Sequence, residues 1–196
     1  MVKREQNSER LSEIYRKAAD VFVEKGYHAT PMSLIAKILG MSNANLYYYC
    51  YSKENLLYEI HLDYLKRHFI PILEEVEHLP DPEERIALFL RKFTLLTTSN
   101  RIARLLVHEL PSLSKSHQNE IKLIWRMAYE LIRDAIEELQ LAGRASKFRG
   151  SFLTFLGVSM PFWTIYWFDY SRQVNSEELA ETIVQTFLHG LVRSSK

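Results

Sequence analysis

A single cysteine, six glycines and six prolines are all that 196 residues contain of the types that staple or punctuate a chain. Cys50 alone cannot close an internal disulfide, and no Asn-x-Ser/Thr sequon is present, so the cytoplasm is the expected compartment. The polar start, Met-Val-Lys-Arg-Glu-Gln-Asn, lacks the apolar centre of a signal peptide. With little glycine or proline and no alternating β-branched runs between turns, a sheet is excluded and an all-α fold is expected. No glycine-rich phosphate loop and no nucleophile elbow occurs. His61, His68 and His78 stand seven and ten residues apart, not the three or four that would put two metal ligands on one helical face. Neither catalysis nor a cofactor is expected. Long apolar runs are also missing: Phe152 to Phe168 is uncharged but short for a bilayer and interrupted by Gly157, Ser159, Pro161 and Thr164, so it reads as a buried helix. Nor does one sign of charge dominate. The net charge is +1, and residues 1–55 hold eight cations against six anions, so electrostatics alone does not announce a nucleic-acid partner.

What the chain does have is a dense local pattern from Thr30 to Tyr49. It reads as a short helix, a glycine turn and a second short helix, the arrangement of a helix-turn-helix. Thr30 is expected to cap the first helix, Pro31 to sit at its first position, and Gly40 to end it in the left-handed conformation. Ser42 is expected to cap the second. Ile35, Ala36, Leu39, Met41 and Leu46 supply the apolar contacts between them.

The facing of each side chain on the second short helix follows from about 100° per residue. With Asn43 as origin, Leu46 lies near 300°, and as the one aliphatic side chain it must face inward. The opposite direction is bracketed by Ala44 near 100° and Tyr48 near 140°, so these two are expected at base edges. Tyr47 and Tyr49 fall on the flanks, where their hydroxyls reach phosphates. Asn43 and Asn45 can bond bases or phosphates, and Thr30, Ser33 and Ser42 complete the candidate contacts. Lys53, at the free amides of the next helix, is expected to pin a phosphate with the help of the helix dipole. The plain alternatives are packing for Tyr47, Tyr48, Tyr49 and Tyr51, and a solvated lysine for Lys53.

With the two short helices of this unit, the periodicity predicts about nine helices in all. A first runs from about Ser8 to Lys25, closed by Gly26, and a long one begins after a Ser52 cap and is kinked by Pro71. Others span Glu83 to about Thr98, with Asp81 as cap, and Arg101 to Leu110, stopped by Pro111. Three more follow: His117 to Leu141, closed by Gly143; Ala145 to Asp169; and Ser176 to Arg193, with Asn175 and Glu178 as a capping box. The expected division is residues 1–52 as the DNA-binding domain and 53–196 as the remainder, with the helix from 53 as connector.

Ile14, Ala18, Phe22, Gly26-Tyr27, Ala29-Thr30, Ile35-Ala36, Leu39-Gly40-Met41-Ser42, Leu46-Tyr47, Tyr49, Ser52-Lys53-Glu54 and Leu56-Leu57 resemble the N-terminal signature of TetR-type transcriptional regulators over roughly residues 8–60. Ala44 stands where that family usually has glycine, and Cys50 where it usually has an aromatic. The resemblance implies an all-helical homodimer with a three-helix DNA-binding domain and a larger helical domain for effector binding and dimerisation. It also implies a repressor released from a palindromic operator when a small molecule shifts the fourth helix. Pro161 to Phe168, Ser176 to Ala180 and Phe187 to Leu191 resemble regulators of fatty-acid or steroid degradation, which implies an acyl-CoA effector.

An effector pocket is expected from Phe89, Phe93, Trp125, Tyr129, Phe155, Phe162, Trp163, Tyr166 and Trp167, with Arg104 and His108 meeting an anionic head group. Filling of the core explains each ring alone, and a solvated helix face explains the cations. Phe155, Val158 and Phe162 on one helix, with Leu179, Ile183, Phe187 and Leu191 on the next, are expected to pair with a second copy. A ligand-independent DNA-binding or scaffold protein, and more remotely an enzyme with an apolar substrate, remain open at this point.

Overall fold

The computed structural model describes residues 2–99, 101–168 and 175–191. In chain order the helices are α1 (Val2–Lys25), α2 (Met32–Ile38), α3 (Asn43–Tyr49), α4 (Lys53–Tyr64), a π-helical turn (Leu65–Phe69), α5 (Ile70–Glu77) and α6 (Pro82–Ser99). They continue as α7 (Arg101–Glu109), a 3-10 turn (Leu110–Ser112), α8 (Lys115–Leu141), α9 (Gly150–Trp167) and α10 (Ser176–Leu191). No strand occurs among the described residues. Because α4, the π turn and α5 run on without a break, they form the single proline-interrupted helix expected from sequence, and on that basis the described residues hold nine helices. Pro71 lies at the start of α5, directly after the π turn. A residue with no N–H cannot continue the i→i−4 ladder, and the widened turn is where the register changes.

The chain forms two compact units, one of residues up to Lys66 with Arg104–Ile121, the other of Arg67–Ala103 with the residues from Lys122 onward. Local pattern suggests a boundary at 52/53 and carries no hint that a segment near 104–121 joins the N-terminal helices.

In the first unit, α1 turns Ile14, Ala18, Val21 and Phe22 inward against α2 and α4. Three glycines among the described residues take positive φ, and Gly40, at +67°, shows why. Its N–H donates to the Lys37 carbonyl at 3.2 Å and that of Met41 to Ala36 at 3.0 Å, so the α2 end is a Schellman motif that needs a left-handed residue. At the other end of α2 the expected cap is corrected. Pro31, not Thr30, occupies the cap position, and no side chain bonds there. The buried Thr30 hydroxyl instead donates back to the Gly26 carbonyl at 2.8 Å, tying the α1–α2 turn together.

In the second unit, α6 packs against α5, α9 and α10. Ile86, Phe89 and Leu90 on α6 meet a core that includes Val76, Ile132, Leu139, Ile165 and Val184. Arg144 ties the α8–α9 connection to the α6 start through Asp81 and Glu83, each at 2.7 Å. The aromatic helix α9 begins at Gly150 rather than Ala145, because the Gln140 amide holds the preceding loop extended by donating to the carbonyls of Ser146 (2.8 Å) and Phe148 (2.6 Å).

Helices α9 and α10 approach closely at Gly157, where a Cβ would lie 2.9 Å from the Phe187 ring. Gly157→Ala is therefore expected to lose about 1–2 kcal/mol, overpacking outweighing the better helix propensity of alanine. In a Phe187→Ala background the same change should be neutral or stabilising. Thermal melts of the four proteins of this cycle check it, and equal costs in both backgrounds would refute the contact.

Candidate nucleic-acid interface

Helix α3 has the facing that its spacing predicts. Leu46 is its one buried residue, at 0% exposure, while Tyr48 on the opposite side is 79% exposed and Ala44 beside it is exposed as well. The Ser42 hydroxyl accepts from the Asn45 N–H at 3.1 Å, so α3 starts where expected. Asn43 and Tyr47 are exposed, whereas Asn45 and Tyr49 are half-buried. Ser33 on α2 is exposed too. Thr30 is buried and its hydroxyl is committed to Gly26, which leaves it a structural rather than a contact residue.

Beneath α3, Cys50 ends the helix with its thiol donating to the Leu46 carbonyl at 3.2 Å. Burial pushes this thiol up to about 11, so it stays protonated at neutral pH and is unreactive. The aromatic ring usual at this place in the TetR signature is replaced by a small apolar plug.

Lys53 has partners within the chain that its position in sequence does not announce. Its ammonium donates to the His28 carbonyl at 3.2 Å and lies 4.4 Å from the centre of the Tyr27 ring. Burial, partly offset by Glu109, lowers its pKa. In this arrangement the charge braces the α1–α2 turn against α4; the Ser52 hydroxyl, accepting from Asn55 N–H at 3.0 Å, caps α4 beside it.

The segment 104–121 adds a polar belt to the same unit. His28 Nε2 is 3.1 Å from Glu109, which also accepts from the Ser112 hydroxyl at 2.7 Å. Glu54 accepts from the Ser114 N–H at 2.7 Å and meets His117 Nδ1 at 2.8 Å, and the Tyr58 ring stacks on that imidazole at 3.7 Å. Burial works against ionised Glu54, yet the Ser114 amide and His117 together hold its carboxyl below the usual range. The Tyr58 hydroxyl donates to Glu120. No spacing in the sequence could reveal the contacts that His28, Glu54 and Tyr58 make with this segment, since those partners are about sixty or more residues away.

Of the expected effector residues, Arg104 and His108 belong to the first unit and are exposed there. The rings belong to the second. Phe89 is fully buried and packs with Phe93, which also meets Phe69. A second aromatic group joins Trp125, Phe162, Tyr166 and Trp163, with ring centres 5.7–6.3 Å apart. Tyr129 is half-buried, and Phe155, Trp163 and Trp167 are exposed, Phe155 to 69%.

The expected dimer stripe needs correction. Ile183 and Phe187 are buried within this chain, Phe187 against Gly157, so they are not presented outward. Val158, Phe162 and Leu179 are half-buried, and the Leu191 side chain lies outside the described residues. No described helix is long and apolar enough to cross a membrane.

Comparison with known proteins agrees with this geometry. Residues 14–60 match the family model for "Bacterial regulatory proteins, tetR family", and residues 79–191 that for "Tetracyclin repressor-like, C-terminal domain". The TetR-family transcriptional regulator PfmR from Thermus thermophilus is 29% identical, with a TM-score of 0.83 over 92% of this chain and 99% of that one. AibR, whose crystal structure contains isovaleryl coenzyme A and operator DNA, shares the fold at 23% identity and a TM-score of 0.82, over 90% and 97% of the two chains. A fatty acid metabolism regulator protein of Bacillus subtilis (strain 168) is 27% identical over 99 residues, 50% of this chain and 51% of that protein, so the match spans about half of that relative. A reading helix held by Leu46 and the two family matches lead to one assignment: the chain belongs to the TetR family of bacterial transcriptional regulators.

Proposed function

We propose that this protein is a cytoplasmic, ligand-responsive repressor without enzymatic activity, which binds a palindromic operator as a homodimer and leaves it when a hydrophobic acyl-CoA binds. The observation that carries the DNA reading is the opposition of Leu46 and Tyr48 across α3, which turns an uncharged, hydrogen-bonding face to solvent. Residues 1–52 serve as the reading head, with Ser33, Ser42, Asn43, Ala44, Asn45, Tyr47, Tyr48 and Tyr49 at the groove. Ala44 lets the backbone approach, Tyr48 meets base edges, and Tyr47 and Tyr49 reach phosphates.

Residues 53–196 hold effector and partner, with the helix from Lys53 as connector. Support for an acyl effector comes from the fatty acid metabolism regulator, from the isovaleryl coenzyme A held by the same fold in AibR, and from the aromatic group around Trp125 and Phe162. The exposed Phe155 side of α9 suits a second copy of the chain.

Two experiments test this. Adding stearoyl-CoA or isovaleryl-CoA to the protein bound to a selected duplex should release it, whereas free coenzyme A should not; retention with every acyl-CoA tried would count against the effector class. Selection from a random DNA pool with Tyr48→Ala or Asn45→Ala should return a consensus altered at one position in each half-site, by about 1–3 kcal/mol or roughly tenfold. An unchanged consensus would remove both residues from base reading.

A further inference from the structure

Between Ile38 and Ser52 the chain carries no charged side chain at all, so α3 and both its flanks are electrically neutral. Affinity for duplex DNA nevertheless rests on cations that displace the counterions of the phosphates. Those cations must come from neighbouring elements. Lys53 is engaged with the His28 carbonyl and the Tyr27 ring, and on α1 Arg16 and Lys17 pair with Asp20 and Glu13 one turn away. Arg10 is differently placed. It is exposed on α1, its guanidinium carbon lies 5.9 Å from the centre of the Tyr49 ring, and Tyr49 meets Tyr48 edge-on at 5.4 Å.

Resting on the reading of α3 as the DNA-reading helix, we propose that Arg10 is a phosphate contact of this reading head, reaching from α1 across Tyr49 to the DNA backbone beside the end of α3. An arginine can lay its π face on an aromatic ring while its in-plane N–H fork remains available to a phosphate, and the salt dependence follows the positive charge, which lysine shares. The Arg10–Tyr49–Tyr48 series also fixes the ring that faces the bases. The contact is with the backbone, so it raises affinity for every sequence alike.

Fluorescence anisotropy over a series of salt concentrations tests it, using a duplex selected by the wild-type protein and a mixed-sequence duplex. Arg10→Ala should bind both about tenfold more weakly at a fixed low salt and lower the slope of log affinity against log salt by about 0.9 for each phosphate no longer neutralised, or about two per dimer. Arg10→Lys should keep the wild-type slope. A wild-type slope in Arg10→Ala, with or without weaker binding, would overturn the phosphate contact, as would a loss confined to the selected duplex. Failure of the wild-type protein to bind either duplex would instead overturn the reading of α3 itself. Thermal melting of Arg10→Ala should match the wild type; a large destabilisation accompanied by an unchanged slope in the folded fraction would assign Arg10 to structure.

Discussion

Leu46→Ala is expected to cost about 2–5 kcal/mol and to weaken DNA binding strongly, although its side chain faces away from the groove. Helix α3 has seven residues, far short of the length at which an isolated helix is stable in water, and Leu46 is its one buried side chain. Removing three heavy atoms from a fully enclosed position leaves a cavity in the core between α3 and the helices packed on it, where α2 contributes the buried Ile35 and Ala36. With its anchor gone α3 undocks for part of the time, and affinity falls in proportion to the docked fraction. Tyr48→Ala is the control: on the same helix but facing solvent, it should change stability by less than about 0.5 kcal/mol. Thermal or urea unfolding of the two variants checks the contrast. Equal costs would mean that the inward and outward faces of α3 are wrongly assigned.

The second large effect concerns acid. His61 on α4 is 2% exposed, and burial pushes its imidazole down to about 4 from an ordinary value near 6.5. The unfolded chain therefore takes up a proton near pH 6.5 that the folded one refuses until about pH 4. Stability is full above pH 6.5 and falls between 6.5 and 4, with no further loss from this group below; a shift of that size corresponds to about 3 kcal/mol. The carboxylates held low by partners, such as Glu54 and Asp81, act in a different window. Burial raises and Ser114 and His117 lower Glu54, while Arg144 leads the lowering of Asp81, so their stabilisation is lost only as pH drops below the ordinary carboxylate range. Urea unfolding from pH 7.5 to 4.5 should show the decline, and His61→Leu should flatten it. Parallel declines in the two proteins would contradict the assignment.

Much of this molecule is legible in sequence where the signal is local. Ser42 and Ser52 cap the helices they precede, Gly26, Gly40 and Gly143 take the left-handed conformation, and one aliphatic residue among tyrosines dictates how α3 turns. The resemblance to TetR-type regulators rests on these same positions. What escaped reading is set by contacts that local rules do not decide, most of them between distant segments. Thr30 is as good a cap as any threonine, but the Gly26 carbonyl claims its hydroxyl. Lys53 at a helix start suits a phosphate by every local rule, and the Tyr27 ring and His28 carbonyl that the tertiary fold places beside it have no sequence signature. An apolar stripe on α10 reads alike whether it faces its own chain or another, and for Ile183 and Phe187 it is burial within the chain, Phe187 on Gly157, that decides for the former. The union of Glu54 and Tyr58 with His117 and Glu120 has no sequence signature, because the pairing residues are about sixty positions apart.

Selection of the purified wild-type protein against a random duplex pool at low salt is the most direct test of the account. It predicts an inverted repeat whose half-sites are spaced by one helical turn or more, bound by two copies of the chain. Recovery of no enriched sequence, with no retention of any duplex even at the lowest salt, would contradict it.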